Sequence, residues 1–355
     1  MVGSVGPRPD PFLSPGNTIY RWDLDKPYLR TEFDTIRDLI RTAMEGAELK
    51  RTVPGASALL RELRATGPAG IYILSGSPEQ MRKVLEEKLR LDGIRWDSFT
   101  LKPTFRKLLR GKVRFLKDQV SYKLAALLDA RIDAPPETQE VLFGDDAEAD
   151  AFIYSLYADL GAGRIGTKTL LAVLDRANVY RDEIPSLVRR AQRLPHRDAV
   201  RRIFIHLERM SAPDVFEEFG VRVCPFHNYF QPSLVLCKDG AIDEAATLRV
   251  AADLVHQHRF GADALVASTV DLAARRHIGR AVAARVAAAA CQAEVQQFAG
   301  ATDALRAFGK QLERKLPTFG DAATVEPMAI DYVDLFSRDR ARARAAKRRA
   351  TWKKR

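Results

Sequence analysis

The segment Tyr20-Arg21-Trp22-Asp23-Leu24-Asp25-Lys26-Pro27-Tyr28 (YRWDLDKPY) decides how this chain is read. Thr18 to Trp22 is short, apolar and β-branched or aromatic, which predicts a strand. An Asp-x-Asp pair comes directly after it. By itself such a pair is often only a turn, with each Asp bonding its own backbone. Its weight comes from three later stretches of the chain, around Ser75, Lys123 and Asp145.

Short apolar runs alternate with helical patterns through the first 160 residues, the signature of a parallel α/β sheet. Phe33, Ile36, Ile40 and Met44 recur at helical spacing, and a second helix around 57–64 stops at Gly67-Pro68. GIYIL (70–74) reads as a strand. Ser77, Pro78 and Gln80 form the capping box of a helix whose buried face is Met81, Val84, Leu85 and Leu89. A helix around 120–129 leads to the strand EVLF (140–143). Next come GDDAEAD and a helix with Phe152, Ile153, Leu156 and Leu160 on one face. Residues 166–200 read as a basic helical insertion, RIFIHL (202–207) as a strand and SLVLC (233–237) as one more. From 243 to about 315 the chain is Ala-rich and helical.

The expected organisation is a lead-in at 1–16, an α/β domain at 17–240, a helical region at 241–335 and a basic tail at 336–355. The fold class is a three-layer Rossmannoid parallel sheet with a helical insertion and a helical C-terminal region.

Composition narrows the function classes. With 46% apolar and 29% charged residues, the 355-residue chain has ordinary globular composition. The longest candidate span, AVAARVAAAAC (281–291), is short and holds Arg285, so no membrane-crossing helix is expected. The opening residues lack a basic stretch followed by an apolar block, so no signal peptide is expected. Three cysteines fit a reduced, cytoplasmic setting. Ten Lys/Arg against one Asp in 338–355 give a formal +9 of the chain's +11, so the remainder is nearly neutral. Such a run suits anionic lipid or another polyanion; a solvated tail is the plain alternative.

Four features fall at the carboxyl ends of predicted strands or on the helix between them, where open parallel sheets place ligands. They are Asp23/Asp25, Ser75, Lys123 and Gly144-Asp145-Asp146. Each is weak alone, as a turn, a loop hydroxyl, a solvated lysine or a helix cap. Their order and strand-end placement together are hard to obtain by accident. Cys224-Pro-Phe-His227 with Cys237 hints at zinc spacing but has no evident fourth ligand. His256 and His258 lie on different faces of a helix. Gly161-Ala-Gly163 reads as a helix stop.

In DLDKP (23–27), LSGSP (74–78), SYKLAALL (121–128) and LFGDDAEAD (142–150), with PGASALLREL before the second strand, the chain resembles the haloacid dehalogenase-like (HAD) phosphatase superfamily. Within it, the chain is most similar to the catalytic domain of the actin-patch type of phosphatidate phosphatase. The resemblance covers roughly 17–160 and implies a magnesium-dependent phosphomonoester hydrolase acting on phosphatidate or a related phospholipid.

It further implies that Asp23 is the nucleophile, forming an aspartyl-phosphate, and that Asp25 is the acid/base. Ser75 would bind a phosphoryl oxygen, and Lys123, with Lys117 a competitor, would neutralise charge. Magnesium would rest on Asp23, the Asp25 carbonyl and Asp145, with Asp146 or Asp150 completing the set. Pro27 departs from the family pattern, which has Thr there. It removes a hydroxyl and an N–H that could orient Asp25, so slowed or altered chemistry is expected. Two rivals remain: a phosphatase for soluble or nucleic-acid phosphates, and a non-catalytic binding module. The expected location is cytoplasmic or membrane-peripheral. Oligomeric state and the role of 241–335 are not legible.

Overall fold

The computed structural model describes residues 12–23, 53–102, 112–147, 149–294 and 300–336. The described strands form a six-stranded, all-parallel sheet: β1 (Thr18–Asp23), β2 (Gly70–Pro78), β3 (Ser98–Lys102), β4 (Gln139–Asp145), β5 (Val200–His206) and β6 (Val223–Phe226). Their spatial order is β3-β2-β1-β4-β5-β6. The chain winds outward from β1 through β2 to β3, then returns to the other side of β1 with β4. The order therefore reverses between β1 and β4, and such a reversal opens a crevice at the carboxyl ends of the strands.

Every residue of β1 is buried, Arg21 and Asp23 included. Tyr20 and Trp22 face one layer of helices, while Arg21 and Asp23 face the other, as the two-residue period of a strand requires. The second layer contains α3 (Lys112–Ile132), α4 (Asp150–Gly161), α5 (Thr167–Arg176) and α6 (Ile184–Gln192), with residues 332–336 packed on it. The first contains α1 (Ala56–Ala65) and α2 (Arg82–Leu91). It also holds α7 (Phe230–Asp239), α8 (Glu244–His258), α9 (Ala262–Ala274), α10 (Arg280–Cys291) and α11 (Ala301–Lys315).

Residues 241–335 thus include much of the layer that covers one face of the sheet. α8 packs on α1, α7, α10 and α11, and α10 pairs closely with α11. Gly309 permits that approach: a Cβ there would stand 2.7 Å from the Cys291 nitrogen and 2.8 Å from the Ala287 carbonyl oxygen.

Two expectations are corrected. SLVLC lies within α7, not a strand; a helix buried all round shows no amphipathic period. The neighbouring VCPF (223–226) is the strand β6 instead. The helix expected to open at Ser77 starts later: β2 continues through Ser77 and Pro78, Glu79–Met81 form a 3-10 turn, and α2 begins at Arg82. A residue preceding proline is driven to extended backbone, and Pro78 pairs with Lys102 of β3, so the strand outlasts the cap signal. The edge strand β3 went unforeseen.

The helix expected over Phe33 to Met44, the Asp25–Pro27 region and the basic tail lie outside the described residues. Among the described residues, no helix is long and apolar enough to cross a membrane.

Candidate active site

Asp23 is the last residue of β1 and Asp145 the last of β4, so the two carboxylates end the strands flanking the reversal point. Both are almost fully buried. Ser75, 0% exposed, lies on β2 beside the end of β1. Lys123 comes from α3, where it too is 0% exposed. Its ammonium donates to Asp23 Oδ2 and, at 2.5 Å, to Asp150 Oδ1. The neighbouring Tyr122 hydroxyl donates to the Ser75 carbonyl oxygen at 3.1 Å, tying the same helix to β2.

A buried ammonium is costly unless charge-paired, and here carboxylates from two elements surround it. Asp150, in the first turn of α4 and 0% exposed, is held from a second direction because its Oδ2 accepts the Asp145 N–H at 3.0 Å. Gly144 makes room for it: a Cβ at 144 would lie 2.7 Å from Asp150 Cβ and 2.8 Å from its Cγ. Asp145 Oδ1 accepts the Ala147 N–H at 2.7 Å, shaping the turn out of β4. Burial, then the Asp150 and Asp23 carboxylates, push the phenol of the buried Tyr154 well above its usual range, keeping it neutral.

Asp146 is placed differently from Asp150. Its N–H donates to the His206 carbonyl oxygen, and its carboxylate accepts the Arg209 and Ser211 N–H groups at 2.7 and 3.1 Å. It organises the loop after β5. Asp150 is the acidic residue brought to Lys123, and the sequence alone left these two undecided. Tyr122 carried no signal of its own beyond adjoining Lys123, and Gly144 was legible only as the first residue of the Gly-Asp-Asp run.

Of the residues expected in the site, Asp23, Ser75, Lys123 and Asp145 meet at the carboxyl edge, while Asp25 lies outside the described residues. Cys224 is buried in β6 and His227 is exposed, so that pair is not a metal site. Among the described residues no three acidic, His or Cys side chains form a ready cation cage. Asp23, Asp145 and Asp150 nevertheless bring three buried carboxylates to this edge, and Lys123 donates to Asp23 and Asp150.

No curated protein and no solved structure matches the chain. Residues 23–167 match the family model described as phosphatidate phosphatase APP1, catalytic domain. The match begins at the carboxylate that ends β1 and takes in Ser75, Lys123 and the Gly144–Asp150 turn. From Asp23 to Thr167, the chain is similar to the catalytic domain of APP1-type phosphatidate phosphatase.

Proposed function

We propose that the carboxyl edge of this sheet hydrolyses the phosphomonoester of phosphatidate by HAD-type chemistry, releasing diacylglycerol and inorganic phosphate. The observation that carries the reading is the buried Lys123 ammonium, held against Asp23 at the end of β1 and against Asp150. A phosphate dianion resists nucleophiles by charge, so a site must neutralise its oxygens and align the attacking and leaving groups.

An oxygen of the Asp23 carboxylate attacks phosphorus, the phosphorus–glyceryl oxygen bond breaks, and the departing oxygen takes a proton from Asp25. In the second half, Asp25 accepts a proton from water, which attacks the aspartyl-phosphate and returns Asp23 as carboxylate. Lys123 offsets charge on the phosphoryl oxygens, and the Ser75 hydroxyl donates to one of them. Asp150 keeps Lys123 aimed at Asp23.

The carboxylates at this edge offer oxygen donors, as a hard divalent cation such as magnesium prefers. Asp23 and Asp145 would hold it, with the Asp25 carbonyl; when bound it supplies positive charge at the phosphate.

The test uses an aryl phosphate with magnesium. Asp23→Asn is expected to lose on the order of 10³-fold or more in turnover, and unchanged turnover would sink the reading. Independently of activity, magnesium should raise the thermal midpoint of wild type more than that of Asp145→Asn. Equal shifts would remove Asp145 from the cation site. Phosphatidate in mixed micelles, assayed beside soluble phosphomonoesters, tests the substrate.

A further inference from the structure

Away from the active site, the first helical layer holds a cleft of about 650 Å³, a size that suits a small organic ligand. It lies where α1 and α7 end and α8 begins, with Arg285 of α10 on one side. The neighbouring strands place it at the amino edge of the sheet. α1 stops at Ala65, shortly before β2 opens at Gly70, and Asp239 at the end of α7 pairs with Arg202 near the start of β5. Asp23 and Asp145 end their strands at the opposite edge.

Part of the lining is apolar, with Phe12, Ala65 and Ile242 among it. Phe12 is held in place by its surroundings. The Leu13 N–H donates to the Asp239 carbonyl oxygen at 2.9 Å, and the guanidinium carbons of Arg201 and Arg202 lie 4.8 and 5.4 Å from the Phe12 ring centroid.

The charged lining sorts into carboxylates already engaged and cations with donors to spare. Glu62 accepts from Arg249 through both oxygens, at 2.8 and 2.7 Å, and Glu244 accepts from Arg285 Nε at 2.6 Å. Asp243 caps α8, its Oδ1 accepting the Ala246 N–H at 2.7 Å. The half-buried Lys238 ammonium stands 3.2 Å from Asp239 Oδ1, but both Asp239 oxygens already accept from Arg202, at 2.5 and 2.9 Å. Two cations therefore share one carboxylate beside the cleft. An ammonium carries three N–H donors and a guanidinium five, more than these carboxylates use. Burial, against the pull of Asp239, also holds the Lys238 pKa below its ordinary value, so its charge is short of compensation.

We propose that this cleft is a second ligand site, taking a small organic oxyanion whose head meets Lys238 and Arg285 and whose partly apolar body lies against Phe12 and Ile242. The oxyanion supplies the acceptors that the two cations are short of, in charge-assisted hydrogen bonds strengthened by partial removal from water. The site shares no residue with the carboxyl edge, so the proposal stands whether or not phosphatidate is the substrate there.

The experiment follows backbone hydrogen exchange of the full chain, with benzoate or phenylphosphonate as the probe. The two share a phenyl body and differ in the head, so they separate a carboxylate ligand from a phosphate one. At least one is expected to slow exchange over 237–249, and its titration gives the affinity. Lys238→Gln should weaken that affinity at least tenfold, as loss of a hydrogen bond to a charged group does. Ala65 is exposed at the end of α1, so Ala65→Phe keeps every charge and crowds the cleft. It too should weaken binding of the same probe. No slowing over 237–249 with either probe, a smaller loss in Lys238→Gln, or wild-type affinity in Ala65→Phe would each overturn the proposal.

Discussion

Among single residues, the site depends on how Asp150 is held. Its two carboxylate oxygens serve different partners, Lys123 from α3 and the Asp145 backbone from β4, so a small displacement disturbs both. Gly144→Ala is the sharpest probe. The new methyl would overlap Asp150, and the clash falls on a short side chain held at both ends. Overpacking of this kind costs about 1–3 kcal/mol of stability, and misplacing an aligned group by about 1 Å can cost about 100-fold in rate. The expected outcome is a folded protein with aryl phosphate turnover reduced at least tenfold, about 1.4 kcal/mol in barrier. Turnover within twofold of wild type would show that Asp150 does not position Lys123. Asp145, Asp146 and Asp150 are equally acidic in sequence. Only the return of α4 past Gly144, and the capture of Asp146 by the loop after β5, separate their roles.

Between elements, the pairing of β1 with β4 carries a buried charge network. Arg21 donates to Glu140 Oε1 at 2.7 Å, the Tyr157 hydroxyl donates to Oε2 at 2.6 Å, and Arg131 lies 3.6 Å from the same carboxylate. Burial alone would raise the Glu140 carboxyl, but the Arg21 guanidinium and these neighbours hold it below its ordinary value. Removing one partner leaves an uncompensated buried charge. Arg21→Met should therefore cost about 3–5 kcal/mol, while the double variant Arg21→Met/Glu140→Leu should recover much of that. Urea unfolding decides: a double variant no more stable than the single would show that pairing is not the term lost. A charged residue in mid-strand is not what apolar alternation predicts for a central strand, yet TIYRW remained readable because its neighbours are aromatic or β-branched. SLVLC was misread because five residues of this kind fit a buried strand and a buried helix equally.

Across the whole molecule, the C-terminal helices close one face of the sheet, and their junction with β6 carries an acid-sensitive group. His277, after α9, is 5% exposed, two residues from Arg275, whose guanidinium donates to the Pro225 carbonyl oxygen of β6 at 2.7 Å. Burial, then the positive charges of Arg275, Arg202 and Lys238, depress its imidazole from 6.5 to about 3. Between those values the unfolded chain binds a proton that the folded chain refuses. This contribution is therefore fully present above 6.5 and is lost as pH falls toward 3. The slope is about 1.4 kcal/mol per pH unit. From about pH 7.5 to about pH 5.5, wild type should lose about 1.4 kcal/mol more than His277→Gln. Parallel urea midpoints across that range would refute the assignment.

Local chemistry determined the α/β class, the positions of β1, β2, β4 and β5, and the order Asp23, Ser75, Lys123, Asp145. These arise from periodicity and from acidic, hydroxyl and basic residue types placed at strand ends or on the helix between them, both of which are written along the chain. Tertiary structure alone decided that Asp150 and not Asp146 meets Lys123, that VCPF and not SLVLC is the sixth strand, and that 241–335 helps wall the sheet. The physical reason is common to all of these. Each depends on which buried surface or backbone donor a residue meets from a distant part of the chain, and such a partner leaves no mark on local spacing.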